Sequence, residues 1–155
     1  MTVDFLPPDQ ALVQDALVAA DLCRGTLRLL ADRGESGLTE VRLGNGRRAD
    51  ILALDSGGRI TIVEVKSSVA DFRADGKWPD YLDYCDRFYF AVGATFPVAI
   101  LPPEHGLIVA DRHGAAVLRD SVALPAVPPA RRRSVTLSVA LQAAERLRRR
   151  EDPAP

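Results

Sequence analysis

Apolar positions recur at spacings of three and four from Leu12 through Ala16, Ala19, Cys23 and Leu27 to Leu30. This predicts a helix over residues 9–33, with Asp9 at its start and Gly34 at its stop. The period then shortens to two. Residues 38–43 (LTEVRL) alternate as a strand, Gly44-Asn45-Gly46 is a hairpin signal, and residues 47–54 (RRADILAL) form a second strand. Another tight turn, Asp55 to Gly58, leads into residues 60–66 (ITIVEVK), a third strand rich in β-branched residues. A polar segment, Ser67 to Gly76, precedes a short helix over residues 77–86, and residues 87–92 (RFYFAV) read as a fourth strand. Residues 97–101 and 107–111 read as two further short strands on either side of Pro102-Pro103. Pro125, Pro128 and Pro129 mark a linker, and Ser134 caps a last helix over residues 135–150, with Leu137, Leu141, Ala144 and Leu147 on one stripe. Residues 151–155 are expected to fray. The expected architecture is one α/β domain spanning residues 1–155, a mixed sheet of four to six strands flanked by helices.

Composition narrows the function classes. The 155 residues are 47 % apolar and 26 % charged, as in a globular domain. Twenty basic and 21 acidic residues cancel to −1, which argues against a protein that coats polyanions with its whole surface. No apolar run reaches the roughly 20 residues that span a bilayer. Met1 to Pro8 carries no Lys or Arg and no long apolar stretch, so it is not read as a secretory signal. Cys23 and Cys85 sit inside apolar patterns and make no disulfide framework, so a reducing, cytoplasmic location is expected. His105 and His113 are the only histidines and no C-x-x-C exists, which argues against a structural zinc site. Of the 20 cations only Lys66 and Lys77 are lysines.

Both lysines fall in the stretch that carries the candidate chemistry. Alternate side chains of a strand share a face, so Glu64 and Lys66 lie beside Ile60 and Ile62. A carboxylate and an ammonium in an apolar strand need compensation. If strands two and three pair through the Asp55–Gly58 turn, Asp50 comes near Glu64. Two adjacent carboxylates repel unless a cation sits between them, and a hard divalent ion such as magnesium is the natural solution. The Val65 carbonyl could add a ligand. Such an ion polarises a phosphoryl oxygen and acidifies a bound water, while Lys66 could orient that water, act on its proton or stabilise charge on the phosphate. The reaction suggested is hydrolysis of a phosphodiester. A buried ion pair without metal is the competing interpretation of the same residues.

Asp50, then thirteen residues, then Glu64-Val65-Lys66, on this order of elements, resembles the PD-(D/E)XK nuclease superfamily core. The stretch from Ala49 to Val92 is more specifically similar to the MmcB-type DNA repair proteins. The resemblance implies a restriction-endonuclease-like fold, magnesium (with manganese able to substitute), action on DNA, a role in repair or damage tolerance, and pairing into a homodimer. It gives Asp50 and Glu64 the metal-binding positions and Lys66 that of the superfamily's lysine. Lys77-Trp78-Pro79-Asp80-Tyr81 resembles a Q-x-x-x-Y element with Lys in place of Gln. Lys77 and Tyr81 are thereby candidates for contact with phosphate or metal-bound water. Ala49 replaces the superfamily's proline, and the first helix has no Glu, so a further acid would be Asp15, Asp21 or, on the first strand, Glu40.

Ser67 and Arg73 follow the active strand and could touch a phosphate. Trp78, Tyr84 and Phe88 read as core or rim aromatics, and the histidines carry no role. Arg131 to Arg133 and Arg146 with Arg148 to Arg150 bracket the last helix, as a solvated face or a backbone contact to DNA. The expected activity is a magnesium-dependent DNA nuclease, an endonuclease, acting in repair. The alternatives are an inactive nuclease-fold module that binds DNA or a repair partner, and a small-molecule phosphohydrolase. The last is disfavoured by the lack of a Gly-rich phosphate loop.

Overall fold

The alternation read in the third strand divides the whole molecule into two packed layers around one sheet. The computed structural model describes residues 8–154. The stretch 1–7, read above as no secretory signal, and Pro155 lie outside them, and of the end expected to fray Glu151 is the last residue of a helix. Helix α1 (Pro8–Asp32) is followed by strands β1 (Ser36–Arg42), β2 (Arg48–Leu54) and β3 (Ile60–Lys66). A six-residue helix α2 (Val69–Ala74) and a 3-10 helix (Trp78–Tyr84) lead to β4 (Arg87–Val92). Strands β5 (Gly106–Ala110) and β6 (Ala115–Arg119) and helix α3 (Pro129–Glu151) complete the order. The six strands lie side by side in chain order. The β1–β2, β2–β3 and β5–β6 pairs are antiparallel, and β3–β4 and β4–β5 are parallel. This mixed α/β sheet with flanking helices is consistent with a restriction-endonuclease-like fold.

Every residue of β3 is buried, because both faces of the central strand are covered. Ile60 and Ile62 pack with Leu52, Phe88, Phe90 and Val135 of α3. Val63 and Val65 pack with Ile51, Tyr89 and the α1 residues Leu22 and Leu30. Helix α3 also closes the open edge of β1. Gln142 accepts from the Arg42 N–H (3.0 Å) and donates to the Arg42 carbonyl (3.1 Å), as a neighbouring strand would.

Five elements differ from the sequence expectation, one of them helix α2, which forms within the segment read as polar loop. Residues 98–100, read as part of a strand, form a 3-10 turn between Pro97 and Pro102, whose rings remove the N–H groups a ladder requires. Strand β6 was not anticipated, because a short edge strand left half exposed lacks a clean apolar alternation. The 77–86 helix is of the 3-10 type over Trp78–Tyr84, with Pro79 inside its first turn. Helix α3 begins at Pro129 rather than after Ser134, since proline loses nothing at a first helical position whose N–H would be unbonded anyway.

Gly25 fixes how α1 lies on the sheet. A Cβ there would sit 2.0 Å from the Asp111 carbonyl oxygen and 2.3 Å from that of Gly114, in the β5–β6 turn. Arg28 donates to the His113 carbonyl of the same turn (2.8 Å). Both contacts are to backbone, which cannot rotate away. Gly25→Ala is therefore expected to destabilise the protein by about 3 kcal/mol, lowering the midpoint of thermal unfolding by roughly 10 °C. A melt within a degree or two of the parent would contradict this packing.

Candidate functional site

The site grows out of an irregularity in the sheet. The β2–β3 ladder pairs Ile51 with Val63 and Leu52 with Ile62 and ends there; Asp50 lies just beyond it, close enough to Glu64 for the two carboxyls to influence each other. The Val65 N–H donates to Asp50 Oδ2 at 2.8 Å. Alternation in β2 slips at this position. Ala49 packs in the Ile62 cluster and Ile51 in the α1 cluster, although two residues apart they should share a face. Across the β1–β2 pair, Thr39 and Val41 are registered with Ile51 and Ala49, and Glu40 between them has φ +50°. A left-handed conformation costs a non-glycine residue about 1 kcal/mol. Arg146 of α3 donates to the carbonyls of both Thr39 and Glu40, tying down the kinked backbone.

Lys66 ends β3 only 2 % exposed. Its ammonium lies 3.2 Å from Glu64 Oε1 and 2.6 Å from Asp75 Oδ2. Asp75 closes α2 and also accepts from the Lys77 N–H (2.9 Å). The second Glu64 oxygen, Oε2, is buried and meets no hydrogen-bond partner among the described residues. Burial and the neighbouring charge of Asp50 push the Glu64 carboxyl up to about 9. Burial likewise raises Asp50, against the opposing pull of the Val65 N–H and Lys66. Burial works against the Lys66 charge, but its contacts with Asp75 and Glu64 outweigh it and hold the ammonium above its ordinary value. Burial would also raise Asp75, yet the Lys66 contact prevails and holds it at about 2.

A buried, unpartnered carboxylate oxygen beside a second raised carboxylate is a site that favours a proton or another cation. The donor set fits a hard divalent ion. Among the described residues no three of His, Cys, Asp and Glu converge to hold a metal. An ion here would thus have two side-chain carboxylates, Asp50 and Glu64, and complete its shell with main chain, water or phosphate, as magnesium commonly does.

These groups line a cavity of about 1330 Å³ between α1, the β1–β3 strands and α2. Of the residues expected at the site, Glu40, Asp50, Glu64, Val65, Lys66 and Ser67 line it, as do Lys77 and Tyr81. Arg73 is not among the lining residues and is exposed on α2. Asp15 of α1 reaches the cavity wall and Asp21 does not. Glu40 faces solvent, 62 % exposed, with Arg48 at 3.7 Å. Tyr81 is buried and donates its hydroxyl to the Arg48 carbonyl (2.9 Å). Ser67 binds Asp71 through its N–H and its hydroxyl (3.1 and 3.3 Å). Cys23 adds to the α1 wall, its thiol pushed up to about 11 by burial first and then by Asp50.

Sequence reasoning left Asp75 in an adjoining loop. The available signal was Lys66 itself, since a buried ammonium needs an ionised partner and Glu64, crowded by Asp50, is a poor one. It also left His105 without surroundings. That ring is 6 % exposed, edge-on to Trp78 at 4.9 Å and to Phe88 at 5.5 Å. Trp78 stacks on Phe88, so both are core aromatics as read. The arginine clusters are largely engaged within the chain. Arg132 pairs with Asp86 at 2.7 Å, Arg131 donates to the Asp83 carbonyl, and Arg148 and Arg149 both bond Glu145.

Comparison with known proteins adds two findings. The family described as MmcB-like, DNA repair protein MmcB-like, matches residues 7–154. A solved structure described as SPO1766, a protein of unknown function from Silicibacter pomeroyi, is similar at 39 % identity with a TM-score of 0.84, covering 87 % of this chain and 92 % of that one. No curated protein matches. No helix among the described residues is long and apolar enough to cross a membrane.

Proposed function

The chain belongs to the MmcB-like DNA repair protein family, and from that premise we propose that it is a magnesium-dependent DNA nuclease, an endonuclease of the cytoplasm. One observation carries the reading: Asp50, bonded to the Val65 N–H, lies beside Glu64 at a kink in the sheet, with Glu64 Oε2 unpartnered and Lys66 alongside, on the wall of a large cavity. Asp50 and Glu64 would hold the ion. When bound, it supplies polarisation of a phosphoryl oxygen and a more acidic water. Manganese has the same preference for oxygen donors and would substitute.

The chain's own groups divide the remaining work. Lys66 stays charged beside two carboxylates, which suits stabilising negative charge on a phosphate better than taking a proton. Asp75 positions that ammonium from below. Lys77, exposed at the cavity wall, would meet a phosphate of the substrate. Tyr81 would act through the Arg48 carbonyl that its hydroxyl holds, steadying the start of β2 next to Asp50.

A second reading is a nuclease-fold module that binds DNA or a repair partner without cutting. It is favoured by the contacts of Lys66, whose ammonium by itself pairs with both Glu64 and Asp75. The test is incubation of the pure protein with single-stranded, duplex and branched DNA in magnesium or manganese. Cleavage is expected with either ion, absent in chelator, and reduced at least about a hundredfold in Asp50→Asn. Binding without cleavage on every substrate selects the module. Equal cleavage by Asp50→Asn assigns the activity to a contaminant and overturns the reading.

A further inference from the structure

The outer face of α3 is unpartnered and apolar. Leu137, Leu141 and Leu147 are 57 %, 63 % and 56 % exposed, although the same helix buries Val135 against the sheet. Positions 133, 137, 140, 144, 147 and 151 alternate spacings of four and three, which is the seam of a two-helix coiled coil. Read in order, that seam is Arg, Leu, Ala, Ala, Leu, Glu. It is its own complement when reversed. An antiparallel copy centred between Ala140 and Ala144 sets Leu137 against Leu147, Ala140 against Ala144, and Arg133 against Glu151 of the second copy. The small central pair lets the helix axes approach closely, the leucines close over both ends, and opposite charges meet at the limits. From this self-complementarity we propose that α3 is the contact of a two-fold homodimer.

Other occupants fit less well. The seam carries no charge between its ends. Most of the arginines beside it are turned to other tasks, Arg132 to Asp86, Arg146 to the β1 carbonyls, and Arg148 and Arg149 to Glu145. A nucleic acid laid along this face would meet leucine and alanine. A parallel second copy would oppose Arg133 to Arg133 and Glu151 to Glu151. One helix pair buries an area at the low end of specific interfaces, so the dimer forms with a dissociation constant in the micromolar range. Both copies bring basic termini together, so added salt screens a net repulsion and leaves the dimer as tight or tighter. A DNA contact responds to salt in the opposite sense.

Sedimentation of the full chain from about 1 to 200 μM tests this. The parent is expected to shift from monomer to dimer across that range. Leu137→Glu, which occurs twice in each dimer, raises the dissociation constant more than about tenfold. Arg133→Glu and Glu151→Arg each weaken the dimer severalfold, and the exchange R133E/E151R returns it to within about twofold of the parent. Circular dichroism melts confirm that each variant is folded, and the terminal charge exchange decides the matter if Leu137→Glu is not. A monomer at the highest concentration overturns the proposal. So does a charge exchange that fails to restore what each single change removes. Leu137→Glu that leaves self-association intact but changes DNA affinity also overturns it, in favour of nucleic acid on this face.

Discussion

Lys66→Met is expected to destabilise the protein by about 2–3 kcal/mol, a fall of roughly 8 °C in the thermal midpoint. Methionine approximates the length and volume of lysine, so the packing around β3 is kept and the charge alone is removed. Glu64 Oε1 and Asp75 Oδ2 then both lose their donor. Glu64 adapts at small cost, because it already takes up a proton near pH 9. Asp75 does not: its carboxyl is held at about 2 largely by this lysine, and its side chain is only 25 % exposed. The comparison variant is Glu64→Gln, which leaves the Lys66–Asp75 contact in place and is expected to cost less than about 1 kcal/mol. Adding Asp75→Asn to Lys66→Met should recover part of the loss, because it removes the stranded charge. Urea denaturation of the four proteins measures this. A Lys66→Met protein as stable as the parent would mean that the ammonium does not hold the site together.

The second large effect is on cation affinity, which is expected to rise about tenfold per pH unit between roughly pH 6 and pH 8.5. Glu64 is raised from an ordinary 4.5 to about 9 by burial and by Asp50. Across that window the folded chain holds a proton that the unfolded chain has released. Its stability in the absence of an ion therefore falls as pH rises from about 4.5 to about 9. A divalent ion on the same carboxylates must displace the proton, so one proton leaves per ion bound. The affinity gains what the proton loses. Calorimetric titration with magnesium or manganese in buffers of different ionisation enthalpy reads both the slope and the proton count. Glu64→Gln should flatten the slope and weaken binding. An affinity that does not change over these pH units would mean that Glu64 is not a ligand.

The sequence carried the central strands well because their apolar runs are bounded by turn residues with one reading. Residues 60–66 and 87–92 were delimited as the structure has them. The nearness of Asp50 to Glu64 followed from the Asp55–Gly58 turn, which pairs the two strands that carry them. The slip at Asp50 was not legible, since it depends on Glu40 adopting a conformation that nothing in LTEVRL announces. It is held by Arg146, more than a hundred residues away. The engagement of Asp75 was hidden for a related reason: α2 is a single capped turn, set by Ser68 accepting from the Asp71 N–H, too short to show a helical period. The arginine runs flanking α3 looked like one basic surface, but partners from other elements divide them into separate ion pairs and carbonyl contacts.

The proposed chemistry requires a divalent ion between Asp50 and Glu64. Crystals grown with manganese, measured at its absorption edge, test that directly. The expected result is one anomalous peak within about 2.3 Å of an oxygen from each carboxylate, lost in Asp50→Asn. Density with both acids in place, Lys66 still bridging Glu64 and Asp75, and no anomalous peak at saturating manganese would contradict it.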